Sequence, residues 1–311
     1  MICLAIILPC YNEESVLPAT ISRLLALRSE LVAEGLISGD SAITFVDDGS
    51  LDRTWSIIEA AAREEPALHG IKLSRNQGHQ GALLAGLLSV PGDAVISIDA
   101  DLQDDLGAIR EMVLRHRAGA GIVYGVRAVR DSDTFFKRFS AEGYYRLMRA
   151  LGVDLKFNHA DYRLMSRAAI DALSQYGEVN LFLRGIVPQL GFPTADVFYA
   201  RAERHAGKSK YPLRKMLSLA WNGLTSFSAR PLRWITFFGV LVSVFSFAVG
   251  GWTLLNVLFL GGTVPGWAST VIPMYFLGGI QLLSIGIIGE YIAKIYLETK
   301  RRPRYIIERR V

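Results

Sequence analysis

Val95-Ile96-Ser97-Ile98-Asp99-Ala100-Asp101-Leu102-Gln103-Asp104 is the stretch whose reading decides the fold. Val95 to Ile98 is apolar and largely β-branched, the pattern of a buried strand. It runs straight into carboxylates, and in an open α/β sheet the carboxyl ends of the strands are where ligands sit. Asp99 and Asp101 flank one small residue, so a bent backbone can aim both at one point. Two hard oxygen donors at one point suit Mg²⁺ or Mn²⁺, ions that share their coordination with substrate phosphates. The expectation is a metal-bridged diphosphate. Taken alone, the stretch also reads as a strand end with a solvated, helix-capping turn.

The preceding sequence repeats the strand-then-polar-turn pattern. Ile2 to Leu8 predicts a strand, ending in Pro9-Cys10-Tyr11-Asn12-Glu13-Glu14, with a helix from Ser15 to Leu27. Over a strand end, the Tyr11 ring can meet a nucleobase, and Asn12 and Glu13 can hold ring N–H or ribose hydroxyl groups. The same two residues could equally just start the helix. Ala42 to Val46 predicts a second strand, ending in Asp47-Asp48-Gly49-Ser50, before a helix from Trp55 to Arg63. An acidic residue there commonly takes ribose or base hydrogen bonds. Gly70 to Leu73 predicts a third strand, followed by Ser74-Arg75-Asn76-Gln77-Gly78-His79-Gln80-Gly81 and a helix to Leu88. Gly78 and Gly81 permit close backbone approach at a helix start. His79 reads as a structural hydrogen-bonder ahead of a catalyst. Four strands alternating with helices mean a doubly wound parallel sheet. Neither Gly-x-Gly-x-x-Gly after the first strand nor a Walker lysine pattern is present, which argues against a dinucleotide dehydrogenase and a P-loop enzyme.

These four motifs, in this order and spacing, resemble glycosyltransferase family 2. With the apolar segments near the carboxyl terminus, the chain looks like a polyprenyl-phosphate glycosyltransferase. The resemblance implies that Pro9, Tyr11, Asn12, Glu13 and Asp48 hold the nucleoside. Asp99, Asp101 and Gln103 would hold the metal, Mg²⁺ or Mn²⁺, and the donor diphosphate. The family often has Pro-Pro-Glu after this motif; here it is Asp104-Asp105-Leu106-Gly107, which keeps the metal ligands and loses a rigid turn. Ile122 to Val126 predicts a further strand ending in Arg127, followed by the basic aromatic run Phe135-Phe136-Lys137-Arg138-Phe139. By resemblance Arg127 and Arg138 receive the acceptor lipid phosphate, a task for which the planar guanidinium is suited. Lys137 and Arg138 also read as a lipid-headgroup-facing patch. Asn158-His159-Ala160-Asp161-Tyr162-Arg163-Leu164 looks like the family segment whose Asp lies near the reacting centre, so Asp161 joins Asp101 as a catalytic candidate. A lipid phosphate has a second pKa near 6 and is mostly ionised at neutral pH, so Asp161 reads as an orienting group as readily as a base. Arg184 lies in a segment like the family's Phe-Leu-Arg-Gly helix and reads as packing. Val197 to Ala200 predicts a late strand. The basic loop after it carries Arg201, Arg204, Ser209 and Lys210, which relatives use to close over the diphosphate.

The chain has 311 residues, is 51% hydrophobic and carries a formal charge of +5, with a mean hydropathy of +0.28 and a pI near 9.2. The apolar excess is local, because Trp234 through Gly289 contains no Asp, Glu, Lys or Arg. A spanning helix needs about 20 apolar residues, so this run predicts two spans, Trp234 to Leu258 and Val271 to Ile295, around a turn at Gly261 to Ser269. Pro212 to Ser228 alternates basic and bulky apolar residues, as an interfacial amphipathic helix does. Basic residues flank the pair outside both ends, which predicts cytoplasmic termini and points to anionic lipid, not nucleic acid. Cys3 and Cys10 read as buried thiols. Met1 to Leu8 is too short and lacks the basic start of a signal peptide.

The expected organisation is a Rossmann-like, single-domain α/β glycosyltransferase of GT-A type with a mostly parallel sheet over 1–211. An interface helix over 212–233, a two-helix transmembrane hairpin over 234–297 and a basic cytoplasmic tail over 298–311 follow. The expected reaction is metal-dependent, inverting transfer of a hexosyl unit from a nucleotide sugar, UDP-glucose favoured, to undecaprenyl or another polyprenyl phosphate. The site is expected at the cytoplasmic face of the inner (plasma) membrane, in a homo-oligomer with a tetramer implied by resemblance. A processive polysaccharide synthase is the nearest rival, but it would carry Gln-x-x-Arg-Trp and more spans. A non-catalytic, membrane-tethered nucleotide-sugar-binding subunit is the rival from another class, and intact Asp99, Asp101 and Asp161 argue against it.

Overall fold

The computed structural model describes residues 1–101, 103–127, 159–178, 182–200, 230–260 and 267–311. They fall into two compact units: the described residues before 201 together with 301–311, and the two long apolar helices. The first unit carries β1 (Leu4–Cys10), α1 (Leu17–Ala33), β2 (Ala42–Asp47), α2 (Thr54–Glu64), β3 (Leu68–Leu73), α3 (His79–Ser89), β4 (Ala94–Ser97), α4 (Ala108–Arg117), β5 (Ile122–Arg127), β6 (His159–Ser166), α5 (Arg167–Ser174), α6 (Leu183–Gln189), β7 (Thr194–Tyr199) and β8 (Ile307–Arg310).

Among the described residues these strands make one sheet, in the order β7-β5-β6-β4-β1-β2-β3-β8. β1 to β4 run parallel, with Ile6 beside Ile43 on one flank and Ile96 on the other. Both faces of β1 are apolar because helices cover both, as parallel sheets require. From α1, Leu17, Leu24 and Leu31 recur at helical spacing and join Ile6, Phe45, Ile96, Ile109 and Met112 in the main core. After β3 the chain crosses to the other side of β1 to form β4. Strand order reverses there, and such a switch point opens a crevice outside the strand ends. The turns after β1 and β4, with Tyr11, Asn12, Asp99 and Asp101, therefore share that crevice.

Two strands do not follow from the alternating pattern. β6 is antiparallel to both neighbours, β4 and β5. β8 is antiparallel to β3, so the end of the chain, expected as a plain basic tail, is the edge of this sheet. Its sequence hides this, since three of its four residues are charged. An edge strand tolerates charge because one side faces water. Here Glu308 meets Lys72 at 3.1 Å and Arg309 meets Glu59 at 3.5 Å. Ile307 and Tyr305 pack on a second cluster of Val46, Ile71, Leu73, Ala82 and Ala85. Gly70 and Val311 exchange backbone hydrogen bonds of 2.9 and 3.0 Å. A Cβ on Gly70 would lie 2.8 Å from the Val311 side chain, so only glycine lets the terminus seat this closely.

The second unit is α7 (Arg230–Leu260) and α8 (Trp267–Thr299). Both contain a segment long and apolar enough to cross a membrane, Pro231–Val249 and Phe276–Thr299. Phe237, Phe245, Phe247, Trp252, Leu282 and Leu283 are exposed. Helices apolar all round with such large side chains exposed suit lipid surroundings better than water. The start of α7 takes in Arg230 and Arg233, which the sequence reading placed before the span, and α8 takes in 267–269 of the expected turn. Residues 212–229 of the expected interface helix lie outside the described residues, as do Arg138, Arg201, Arg204, Ser209 and Lys210.

Candidate active site

The turns after β1, β2 and β3 are bound to one another before any ligand is considered. The Asp48 N–H donates to the Cys10 carbonyl at 2.9 Å. Asn12 sits at φ +55°, a left-handed conformation that Asn tolerates better than most residues. Its amide donates to Ser50 Oγ at 3.0 Å, and its Oδ1 accepts from the Leu51 N–H at 2.9 Å. The Glu13 N–H donates to Thr54 Oγ1 at 2.9 Å. Gly49, at φ +67°, has the Arg75–Asn76 backbone 2.8 Å from where a Cβ would stand. That approach lets the Gln77 N–H donate to Asp48 Oδ1 at 2.7 Å. Asp48 is buried. Burial raises its pKa and the Gln77 and Gly78 amides only partly offset this. Pro9 lies within β1 opposite Val46, and Tyr11 is exposed, free to stack on a planar ring.

At the centre stand Asp99 and Asp101. The Gln103 N–H donates to Asp101 Oδ1 at 3.2 Å, and the Gln103 side chain is buried. Asp99 Oδ1 lies 3.7 Å from His79 Nε2, which also lies 3.3 Å from Asp161 Oδ2. Burial raises the Asp99 pKa; His79 works against this, while the charges of Asp104, Asp161 and Asp101 add to it. Four carboxylates, Asp99, Asp101, Asp104 and Asp161, thus act on one another around the end of β4.

Asp161 is held from several sides. Arg163 Nη2 donates to its Oδ1 at 2.5 Å. Arg184 bridges it side-on, Nε to Oδ1 at 3.4 Å and Nη2 to Oδ2 at 3.1 Å. The main chain is pinned too, since Ser97 Oγ donates to the Asp161 carbonyl at 2.5 Å. Burial would raise the carboxyl pKa, but the His79 hydrogen bond and the two guanidiniums outweigh it and hold it well below the ordinary carboxylate value. Burial disfavours the His79 imidazolium, yet Asp161 and Asp99 prevail and raise its pKa.

A second knot lies beside this one. The Tyr199 hydroxyl donates to Asp104 Oδ1 at 2.6 Å, and Arg127 Nη2 reaches the same oxygen at 3.3 Å. Arg127 Nε also donates to the Tyr199 hydroxyl oxygen at 3.3 Å. Burial, then the hydrogen bond to Asp104, push the Tyr199 pKa up. Arg127 is held at the β5 end with part of its side chain still exposed.

The donor set around Asp99 fits a hard divalent cation. Two carboxylates, Asp99 and Asp101, lie in one turn at the strand end. Among the described residues no three His, Cys, Asp or Glu side chains gather to hold an ion by themselves. An ion there would complete its shell from diphosphate oxygens and water, the habit of Mg²⁺.

Of the residues singled out from sequence, the structure gathers Asp99, Asp101 and Asp161 at one sheet edge with the turns of Pro9 to Glu13 and Asp48. It also ties Arg184 and His79 into the centre, where the sequence had given them packing and structural roles. The signal was slight: a cation in a helical segment and a histidine after two glycines, with partners that only the fold brings near.

A family model described as Glycosyl transferase family 2 matches residues 5–174. The chain is 52% identical over 307 residues to an uncharacterized glycosyltransferase, YkoT, of Bacillus subtilis, covering 98% of this chain and 91% of that one. It is 40% identical over 308 residues to the bactoprenol glucosyl transferase of Shigella phage SfX, covering 99% of each. Among solved structures, glucosyl-3-phosphoglycerate synthase of Mycobacterium tuberculosis, in complex with Mn²⁺, UDP and phosphoglyceric acid, aligns with a TM-score of 0.48 at 19% identity, covering 72% of this chain and 76% of that one.

Proposed function

This chain belongs to glycosyl transferase family 2, and from that premise we propose that it transfers glucose from UDP-glucose to undecaprenyl phosphate or a similar polyprenyl phosphate. The observation that carries this reading is the length of the match to the bactoprenol glucosyl transferase, 99% of both chains. The similarity continues past residue 174, where the family model ends, through both apolar helices. An acceptor that is almost all hydrocarbon exposes only its phosphate at the bilayer surface, so an enzyme for it gains by being anchored there.

The roles proposed here draw on the family motifs and, for the described residues, on their placement. Pro9, Tyr11, Asn12, Glu13 and Asp48 take the nucleoside in the joined turns after β1 and β2. Asp99, Asp101 and Gln103 would hold Mg²⁺ or Mn²⁺ and, with it, the donor diphosphate. When bound, that ion offsets charge developing on the departing diphosphate. Arg127, steered by Asp104 and Tyr199, faces the acceptor phosphate. An acceptor phosphate oxygen attacks the anomeric carbon in line, the carbon–oxygen bond to the diphosphate breaks, UDP leaves, and the configuration inverts. Arg138, Arg201, Arg204, Ser209 and Lys210 complete the acceptor and diphosphate contacts in this reading.

In this reading the transferase unit takes in 1–211 together with the terminal strand β8, and the membrane hairpin takes in 234–297. The test is a donor panel with the purified full chain and undecaprenyl phosphate: UDP-glucose, UDP-galactose, UDP-N-acetylglucosamine and GDP-mannose. UDP-glucose is expected to give the lipid-linked sugar at the highest rate, as the β-anomer by NMR. A different preferred donor would reject the sugar assignment, and an α-linked product would reject inversion.

A further inference from the structure

The function proposed above assigns Arg127 to the acceptor phosphate, and the cluster around Asp161 supplies a further cation to which the sequence gives only a packing role. We infer that Arg184, held side-on by Asp161, receives the phosphate of the polyprenyl acceptor, and that Asp161 is a positioning residue instead of the base of the reaction. The inference rests on that function and adds the residue that reads the acceptor.

The first argument is reach. A general base must contact the proton it takes. The Asp161 side chain is only 5% exposed, and each of its oxygens already carries two cationic contacts: Arg163 and Arg184 on Oδ1, Arg184 and His79 on Oδ2. The second is need. A phosphomonoester with a second pKa near 6 is mostly ionised at neutral pH and attacks without losing a proton to the enzyme. The third is the direction of charge. The anion is inside, with Arg163 buried beneath it, and two of its three cations face outward: the Arg184 side chain is 41% exposed and that of His79 43%. The planar fork of a guanidinium matches phosphate.

Position separates the acceptor from the donor. From Asp99 the contacts run to His79, then Asp161, then Arg184. Arg184 therefore stands beyond two residues from the carboxylate assigned to the diphosphate. In-line displacement places the nucleophile away from the leaving group.

The experiment compares full-length wild type, Arg184→Gln and Arg184→Lys in detergent. It measures UDP-glucose binding with Mn²⁺, equilibrium binding of farnesyl phosphate as a soluble polyprenyl phosphate, and steady-state transfer to undecaprenyl phosphate. Arg184→Gln is expected to weaken farnesyl phosphate binding and raise the acceptor KM about 10- to 100-fold, the scale of a lost charge-assisted contact. Its UDP-glucose affinity should stay within about twofold, since no donor contact is removed. Arg184→Lys is expected to recover part of the acceptor affinity, charge without the fork. Parallel loss of UDP-glucose affinity would overturn the inference in favour of a donor diphosphate contact. Unchanged acceptor binding with lower thermal stability would reduce Arg184 to a strut. A wild type that binds UDP-glucose but no polyprenyl phosphate would overturn the proposed function itself.

Discussion

Asp161 is where single-residue chemistry departs most from what the motif implies. The Arg163 guanidinium beneath it is 1% exposed, and its Nε and Nη1 have no hydrogen-bond partner, so Asp161 is the counter-charge on which that buried cation depends. Removing one partner of such a pair costs about 3–5 kcal/mol. The isosteric Asp161→Asn is therefore the informative change. With a folded pKa below the ordinary value, Asp161 stays ionised across the working range. Its stabilising contribution is present above the unfolded-state pKa of about 3.9 and is lost only as pH falls through the lower folded value. In the transfer reaction, Asp161→Asn is expected to lower kcat/KM by the same factor from about pH 6 to 9, since the group does not titrate there. A deficit that shrinks steadily as pH rises would instead identify Asp161 as a base whose work hydroxide can replace. Asp99, Asp101 and Asp161 were legible in the sequence because each sits in a short motif with its own spacing. The roles of His79 and Arg184 were not, because their partner is distant in the chain and a lone cation or imidazole carries no sign of what it will meet.

At the scale of elements, the reliable signals were continuous apolar runs ending in polar turns, which mark β1 to β5. β6 escaped because alternation of helices and strands argues only for parallel neighbours, whereas β6 enters between β4 and β5 in the opposite sense. β8 escaped because Ile-Glu-Arg-Arg has no strand periodicity; its stability comes from the edge of β3 and from the cluster under Ile307 and Tyr305. The catalytic unit should therefore depend on the last residues of the chain. Deleting 303–311, or substituting Ile307→Asp, is expected to lower the thermal midpoint of the full-length protein and speed proteolysis within residues 1–200. The point substitution should cost about 1–3 kcal/mol, for a partly buried apolar group exchanged for a charge. Wild-type melting and proteolysis in both variants would mean that the strand is decoration on a self-sufficient sheet.

The whole molecule combines a ligand-binding sheet with two apolar helices, and the terminal strand links the two facts. The chain leaves the first unit before α7 and rejoins it after α8. Its ends must lie on one side of any membrane it enters, which supports an even number of crossings independently of the charge pattern. From the basic residues outside both ends of the pair we propose, by the positive-inside rule, that this side is the cytoplasmic one. With Thr263→Cys and Arg302→Cys introduced separately into a Cys3→Ser, Cys10→Ser background, a membrane-impermeant maleimide added to intact cells is expected to label Thr263→Cys alone. Labelling of Arg302→Cys from outside would contradict the topology. The membrane portion was legible at this scale because a long uncharged run needs no partner to be recognised, while the closing of the sheet by a segment beyond that run is long-range pairing that no local pattern encodes.

The central claim is that the carboxylates at the end of β4 serve transfer of a sugar from a nucleotide to a lipid phosphate. The most direct measurement is incorporation of radiolabelled glucose from UDP-glucose into undecaprenyl phosphate by the full-length protein, with Mg²⁺ or Mn²⁺ and with EDTA, for wild type and Asp101→Ala. The account predicts label in the lipid for wild type with the ion, and none with EDTA. It predicts a loss of at least about 100-fold in Asp101→Ala, the scale of removing a group that stabilises developing charge. Wild type that binds UDP-glucose yet labels no lipid, or Asp101→Ala that transfers at the wild-type rate, would contradict it.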